Sequence, residues 1–243
     1  MGLTIHYQLS TQSDWTEEEV FARWEIIGDY ARHLGCDNVG DVLPAHKRQD
    51  VTDKLHRIGR GLDVRWVAIH ARVGWILPIE IGKGCEPFML ALCRYPGRWQ
   101  CQHGHSMKRW HPTKISADWQ FSWFCKTQFA GQFGLAHFLR CHKTVISLLD
   151  FCRKAGLDVT VQDESDFWED RNEQRLIKSI QQNEALMAAF GGLIKDTVEK
   201  KRGHKVHSPI FDYHNFEHLE HEGRRRFGKM FTALMDVDLR NEI

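Results

Sequence analysis

The sequence predicts an α+β protein with a ferredoxin-like antiparallel sheet core, additional strands and C-terminal helices. Three observations predict it. The chain opens with a strand, a helix and a strand; a second strand–helix–strand unit lies near residues 118–163; and helical periodicity fills the remainder. Helices are expected on one sheet face, leaving the other open. A doubly wound α/β fold is the alternative, and the Trp-rich, antiparallel-looking middle argues against it.

Leu3, Ile5, Tyr7 and Leu9 alternate with Thr4, His6 and Gln8, the pattern of a half-buried strand. Ser13 or Asp14 is the expected cap of a helix from about Thr16. Glu17, Glu18 and Glu19 suit its first turn, Val20, Trp24, Ile27 and Leu34 form its stripe, and Gly35 ends it. A short strand is expected near residues 38–43 and a polar excursion over 46–63. Strands follow at 64–69, 75–81 and 88–95, the last stopped by Pro96 and Gly97. In DWQFSWFCKTQF, Trp119, Phe121, Trp123, Cys125, Thr127 and Phe129 share one face of a strand, and Gln120, Ser122, Phe124, Lys126 and Gln128 the other. Leu135, Phe138, His142, Val145, Leu149 and Cys152 mark a helix capped by Gly156, and 158–163 reads as the last strand. One long helix is expected over about 166–200, with Leu176, Ile180, Met187, Phe190 and Ile194 as its stripe and a kink at Gly191-Gly192. A linker at 204–209 leads to a final helix over about 213–237. The division is an α+β domain over 1–202 and a helical appendage over 203–243, packing on the core or on a partner subunit of a homo-oligomer.

The 243 residues are 42% hydrophobic and 27% charged, with nine Trp and 14 Phe, enough for a sizeable core. Lys+Arg is 33 and Asp+Glu is 32, a formal charge of +1, so no bulk attraction to nucleic acid or anionic membrane follows. MGLTIHYQLS has no basic n-region or long apolar run, and no apolar stretch suits a membrane span, so a cytoplasmic protein is expected. The seven Cys include no CxxC and read as reduced thiols.

MGLTIHY, GKGCEPFMLALCRYPG, WFCKTQFA, FLRCHKTVISLLD and VQDESDFWEDR together resemble an uncharacterised family of bacterial proteins, notably from planctomycete-like genomes, over roughly residues 1–195. The resemblance implies a bacterial source and a single folding unit. It carries no activity or ligand with it.

Four places invite a functional reading. In CQHGHSMKRWH, Cys101, His103 and His105 alternate onto one side of an extended chain, and His111 or His70 can complete a tetrahedral zinc set. The plainer reading is a wet hairpin tip turning at Gly104. In HNFEHLEH, His214, His218 and His221 fall within about 60° of one another on a helix, opposite its apolar side. That suits a solvated face, a surface metal site or a contact with another molecule. Cys125 and His142 could meet as a nucleophilic pair, but burial makes a thiol inert and favours a structural hydrogen bond for His142. Finally, His6, Gln8, Ser122, Phe124, Lys126 and Gln128 would form one polar patch on the open sheet face, a binding platform unless the C-terminal helices cover it. The acidic run in DESDFWEDR fits a helix start, and no P-loop, GxGxxG or GxSxG is present. The expected function is a binding or interaction module without an identified catalytic centre. The alternative is a zinc-binding metalloprotein, with hydrolysis as its chemistry.

Overall fold

The computed structural model describes residues 3–58, 65–103, 107–202 and 205–238. Strand β1 (Thr4–Thr11) leads to helix α1 (Glu17–His33), then short strands β2 (Asn38–Val39) and β3 (Leu43–Pro44), a 3-10 turn at Ala45–Lys47 and helix α2 (Gln49–Thr52). Hairpin β4 (Lys54–Ile58)/β5 (Arg65–Ile69) precedes β6 (Val73–Glu80), β7 (Phe88–Arg94) and hairpin β8 (Arg98–His103)/β9 (Met107–Pro112). Strand β10 (Gln120–Lys126), a 3-10 segment (Gln128–Phe133), helix α3 (Leu135–Lys154) and strand β11 (Leu157–Asp163) complete the core. Helices α4 (Phe167–Asp170) and α5 (Glu173–Arg202), a 3-10 turn (Pro209–Asp212) and α6 (Phe216–Asp238) follow.

The main sheet has seven strands in the order β11-β1-β10-β7-β6-β2, with β3 also on β6, and its pairings are antiparallel. Its β11-β1-β10-β7 part is the ferredoxin-like order, with α3 as the crossover from β10 to β11, while α1 leads from β1 to β2 at the far edge. Strands β6, β2 and β3 widen it on one side. Ile5, Tyr7 and Leu9 point to the covered face, where α1 and α3 lie side by side and Tyr30 stacks on Phe151 at 4.1 Å. Trp24 is wholly buried there, and its indole N–H donates to the Trp75 carbonyl at 3.1 Å, so the ring brings no unpaired donor into the core. Each large apolar side chain buried this way contributes about 1.5–3 kcal/mol.

The second face is divided. The 45–69 excursion covers its β6–β7 side: the Tyr95 hydroxyl donates to the Thr52 carbonyl at 2.6 Å, and Lys54 Nζ donates to the Gln120 side chain. On the β1–β10 side, His6, Gln8 and Ser122 are exposed. The excursion expected to be polar surface is therefore a cover built from a 3-10 turn, α2 and a hairpin.

Several local expectations change. Thr16, not Ser13 or Asp14, caps α1, because Glu19 completes a reciprocal capping box with it: Glu19 N–H to Thr16 Oγ1 at 3.2 Å and Thr16 N–H to Glu19 Oε2 at 2.8 Å. The expected single helix over 166–200 breaks between α4 and α5, where Arg171 takes φ 54°; Asp166, at the start of α4, takes φ 60°. Asn172 restarts it, accepting the Arg175 N–H at 3.1 Å as an N-cap. Gly191-Gly192 makes no break in α5. These glycines instead admit Phe211 and Glu220 from the returning chain, so close packing explains them. Helix α6 lies on α5 of its own chain, with Gly223 against the Ala185 carbonyl.

A fully buried polar network ties these parts together. His142 on α3 donates from Nε2 to Asp163 Oδ2 at 3.1 Å, since a carboxylate only accepts. Its Nδ1 lies 2.8 Å from the Thr127 hydroxyl, and Ser165 donates to Asp163 Oδ1 at 2.8 Å. Asp163 also accepts the Ser165 and Trp168 N–H groups at 2.9 and 3.1 Å. Burial alone would push the Asp163 carboxyl up; the bond from His142 and those from Ser165 outweigh it and hold it below the usual carboxylate range.

Replacing Asp163 by Ala strands His142 and Ser165 in the core and should lower unfolding free energy by about 3 kcal/mol or more, read from the urea midpoint. The depressed folded pKa makes this stabilisation present above about pH 4 and lost as pH falls through the folded value, so the variant should also show a flatter acid limb.

Candidate functional site

A cleft of about 380 Å³ lies between α5, α6 and the 3-10 segment after β10. Glu184 enters it from α5, Tyr213 and His214 from the stretch before α6, and His218 and Arg226 from α6. The fold brings these groups together because α6 returns along α5, while Tyr213 anchors the return. Tyr213 is buried, and its hydroxyl sits 3.5 Å from the Gln128 carbonyl.

Glu184 is half-buried, with its carboxyl against the Cα of Gly131, where a Cβ would not fit. Among the described residues its carboxyl has no hydrogen-bond donor and no cation partner. Desolvation therefore acts unopposed and pushes its pKa up to about 7. Burial, followed by the nearby Glu184 charge, raises the Tyr213 hydroxyl as well. Arg226 cannot neutralise Glu184 freely, because it is paired with Glu222 one turn away. A concave site with a strained carboxyl and a few convergent polar groups has the makings of a ligand site.

The sequence-predicted residues fare differently. His6, Gln8, Ser122, Phe124 and Lys126 do share one face: His6 pairs with Phe124, Gln8 with Ser122 and Thr4 with Lys126 across β1 and β10. The His6 and Phe124 rings are 5.9 Å apart, and Lys126 Nζ lies 5.4 Å over the Phe124 ring. Gln128 does not belong to this patch. The strand ends at Lys126, and Gln128 is buried, its side-chain oxygen accepting from Leu3 N–H at 2.8 Å and from Asn183 at 3.3 Å.

In the zinc candidate, Cys101 pairs with Arg109, His103 with Met107 and His111 with Trp99 in the β8–β9 hairpin, while His105 lies outside the described residues. His111 stacks on Trp99 at 5.5 Å. Among the described residues no group of three or more His, Cys, Asp or Glu is placed to hold a metal. Of the three histidines expected on one helix, His218 and His221 lie on α6 and His214 in the turn before it; all three are exposed, the first two in sequence, His214 and His218, rim the cleft, and His221 stays apart from it. Cys125 and His142 do not pair: the Cys125 thiol donates to the Glu86 carbonyl at 3.3 Å, and His142 serves the buried network.

Glu184 and Tyr213 were missed by sequence reasoning. A signal existed for Glu184, which sits one helical step beyond Leu176 and Ile180 on the apolar stripe of α5. No helix among the described residues is long and apolar enough to cross a membrane. No protein-family model, curated protein or solved structure matches this chain.

Because the Glu184 pKa is raised in the fold, its contribution to stability is present below the ordinary carboxylate pKa and lost as pH rises through about 7. Glu184→Gln should therefore match the parent near pH 4 and exceed it at pH 8 by on the order of 1 kcal/mol, after discounting for solvent screening. Thermal unfolding of both proteins at the two pH values checks this.

Proposed function

We propose that this chain is a binding module and that the cleft at Glu184 receives a small ligand carrying an amine or guanidinium group. The observation that supports this reading is the half-buried Glu184 carboxyl, which lacks a donor and a cation among the described residues. An isolated carboxylate in such a place costs free energy, and a bound cation offsets that cost by pairing with it. Tyr213, Gln181 and Asn215 supply neutral polar groups around the charge, suited to fixing a ligand's orientation. His214 and His218 are exposed and line the cleft as well. The recognition is electrostatic and hydrogen-bonding, and it requires no bond to be made or broken.

Arginine, agmatine and putrescine are suitable probes, with acetate and urea as controls without the charge. Calorimetric titration should find at least one of the cations bound in the ionised-carboxyl regime and neither control. A cation must displace the Glu184 proton, so affinity should rise about tenfold from pH 6 to pH 8. Glu184→Gln should abolish binding and its pH dependence, while His221→Ala, outside the cleft, should leave both intact. Cation binding undiminished in Glu184→Gln, or no binding by any of the three, would falsify this reading.

A further inference from the structure

Away from the cleft and the open sheet face, the two hairpins concentrate charge that the whole chain does not show. Residues 54–69 and 98–112 hold seven Lys or Arg and one acidic residue, Asp63; the rest of the chain holds 26 Lys or Arg against 31 Asp or Glu. A formal charge near zero therefore conceals two basic hairpins on an acidic body. Arg98 is exposed, as are Arg72 and Lys114 just beyond the hairpins. Among the described residues, none of these three side chains has an ion-pair partner.

Pleating sorts the hairpin residues onto two faces. In β4–β5, Leu55 pairs with Ala68 and Arg57 with Trp66, so these four positions share one face. The other face turns inward: Ile69 is buried, and the His56 ring meets Trp99 of β8 with centroids 6.3 Å apart. In β8–β9, Trp99 pairs with His111 on the inner face, and Trp99 is buried. The outer face carries Arg98 opposite Pro112, Gln100 opposite Trp110 and Gln102 opposite Lys108. The Thr113 N–H donates to the Gly97 carbonyl at 3.0 Å and closes the base of this hairpin. The inner faces thus meet at His56, Trp99 and His111, and each outer face is left with an indole that packs on nothing large. Trp66 and Trp110 are each 62% exposed and Leu55 70%, the three most exposed large apolar side chains among the described residues.

We infer that the paired hairpins bind a single-stranded nucleic acid, with Trp66 and Trp110 as stacking platforms for bases and Arg72, Arg98 and Lys114 as cations for the phosphates. An unpaired strand asks for flat apolar faces and for positive charge without carboxylates between, and the outer faces offer both. A duplex keeps its base faces inside the stack, so exposed indoles favour the unpaired form. Charge complementarity selects a polyanion, since the basic residues gather here and the remainder of the chain is acidic. An anionic membrane also takes Trp with Lys and Arg, but it buries apolar residues that lead the insertion. Here the links between strands, GRGLDV and GHS, place charge and polarity at the tips, while both indoles sit within strands.

Fluorescence anisotropy with a labelled single strand of about 12 nucleotides, RNA and DNA in turn, and the full chain tests this. The parent should bind at least one strand, more tightly than a duplex of the same sequence, and lose affinity steeply between about 50 and 200 mM salt. Trp66→Thr and Trp110→Thr, replacements suited to strands, should each weaken binding about fivefold or more with the salt slope unchanged, and Trp110→Phe should retain most of the affinity. Arg98→Ala should weaken binding and lower the salt slope by about 1. Unchanged urea midpoints establish that the variants fold. Glu184→Gln and His6→Ala should bind like the parent, which separates this site from the cleft and from the open sheet face. No strand bound at the lower salt, a duplex bound as tightly as the strand, or folded Trp variants that bind like the parent overturn the proposal. Binding to phosphatidylserine vesicles without binding to either strand overturns it too.

Discussion

The Asp163 carboxylate is the constraint on which most of this architecture depends. It lies at the end of an edge strand, wholly buried, and an uncompensated charge there would cost several kcal/mol. Compensation comes from His142 on α3, from Ser165 and from the Trp168 N–H in the first turn of α4. His142 in turn needs Thr127, whose N–H donates to the Leu3 carbonyl at 3.1 Å. One acidic residue therefore ties α3 to the end of β11 and to the first turn of α4, and through His142 and Thr127 to the end of β10. Helix α5, which lines the cleft, starts afresh from its own cap at Asn172.

The sheet shows how one fold divides its surface. Alternation along β1 buries Ile5, Tyr7 and Leu9 beneath two helices and turns His6 and Gln8 outward. Whether outward means solvent was decided by a separate piece of chain, residues 45–58 with β5, which covers β6 and β7 and leaves β1 and β10 open. The C-terminal helices did not cover that opening. Their apolar surfaces meet each other and the end of β10, with Gln128 and Tyr213 as the polar fastenings.

Glu184 and Asp163 illustrate opposite ways of placing a carboxyl. Glu184 has no donor among the described residues, so desolvation governs it and raises it. Asp163 is surrounded by donors, which outweigh its burial and hold it down. The two side chains are chemically alike. Their neighbours differ, and those neighbours come from other segments: Gly131 and Tyr213 in one case, His142 on α3 and Ser165 in the other.

The sequence by itself determined what depends on neighbours along the chain. The alternation of β1 and β10, the stripes of α1, α3 and α6, and the hairpin at CQHGHSMKRWH were legible because strand and helix periods are local properties. So was the ferredoxin-like order, since two strand–helix–strand units admit few arrangements. Even the outward face carrying His6, Gln8, Ser122, Phe124 and Lys126 could be read, although Gln128 was assigned to it when the strand had already ended. Tertiary structure alone decided the rest. The cap at Thr16 was local and available in the pattern TEEE, but the break before α5 lies in the backbone itself, where Arg171 takes φ 54° and Asn172 caps the new helix. Glu184 stood out in its stripe as a charge among apolar residues, yet its lack of a partner is a fact of three segments meeting.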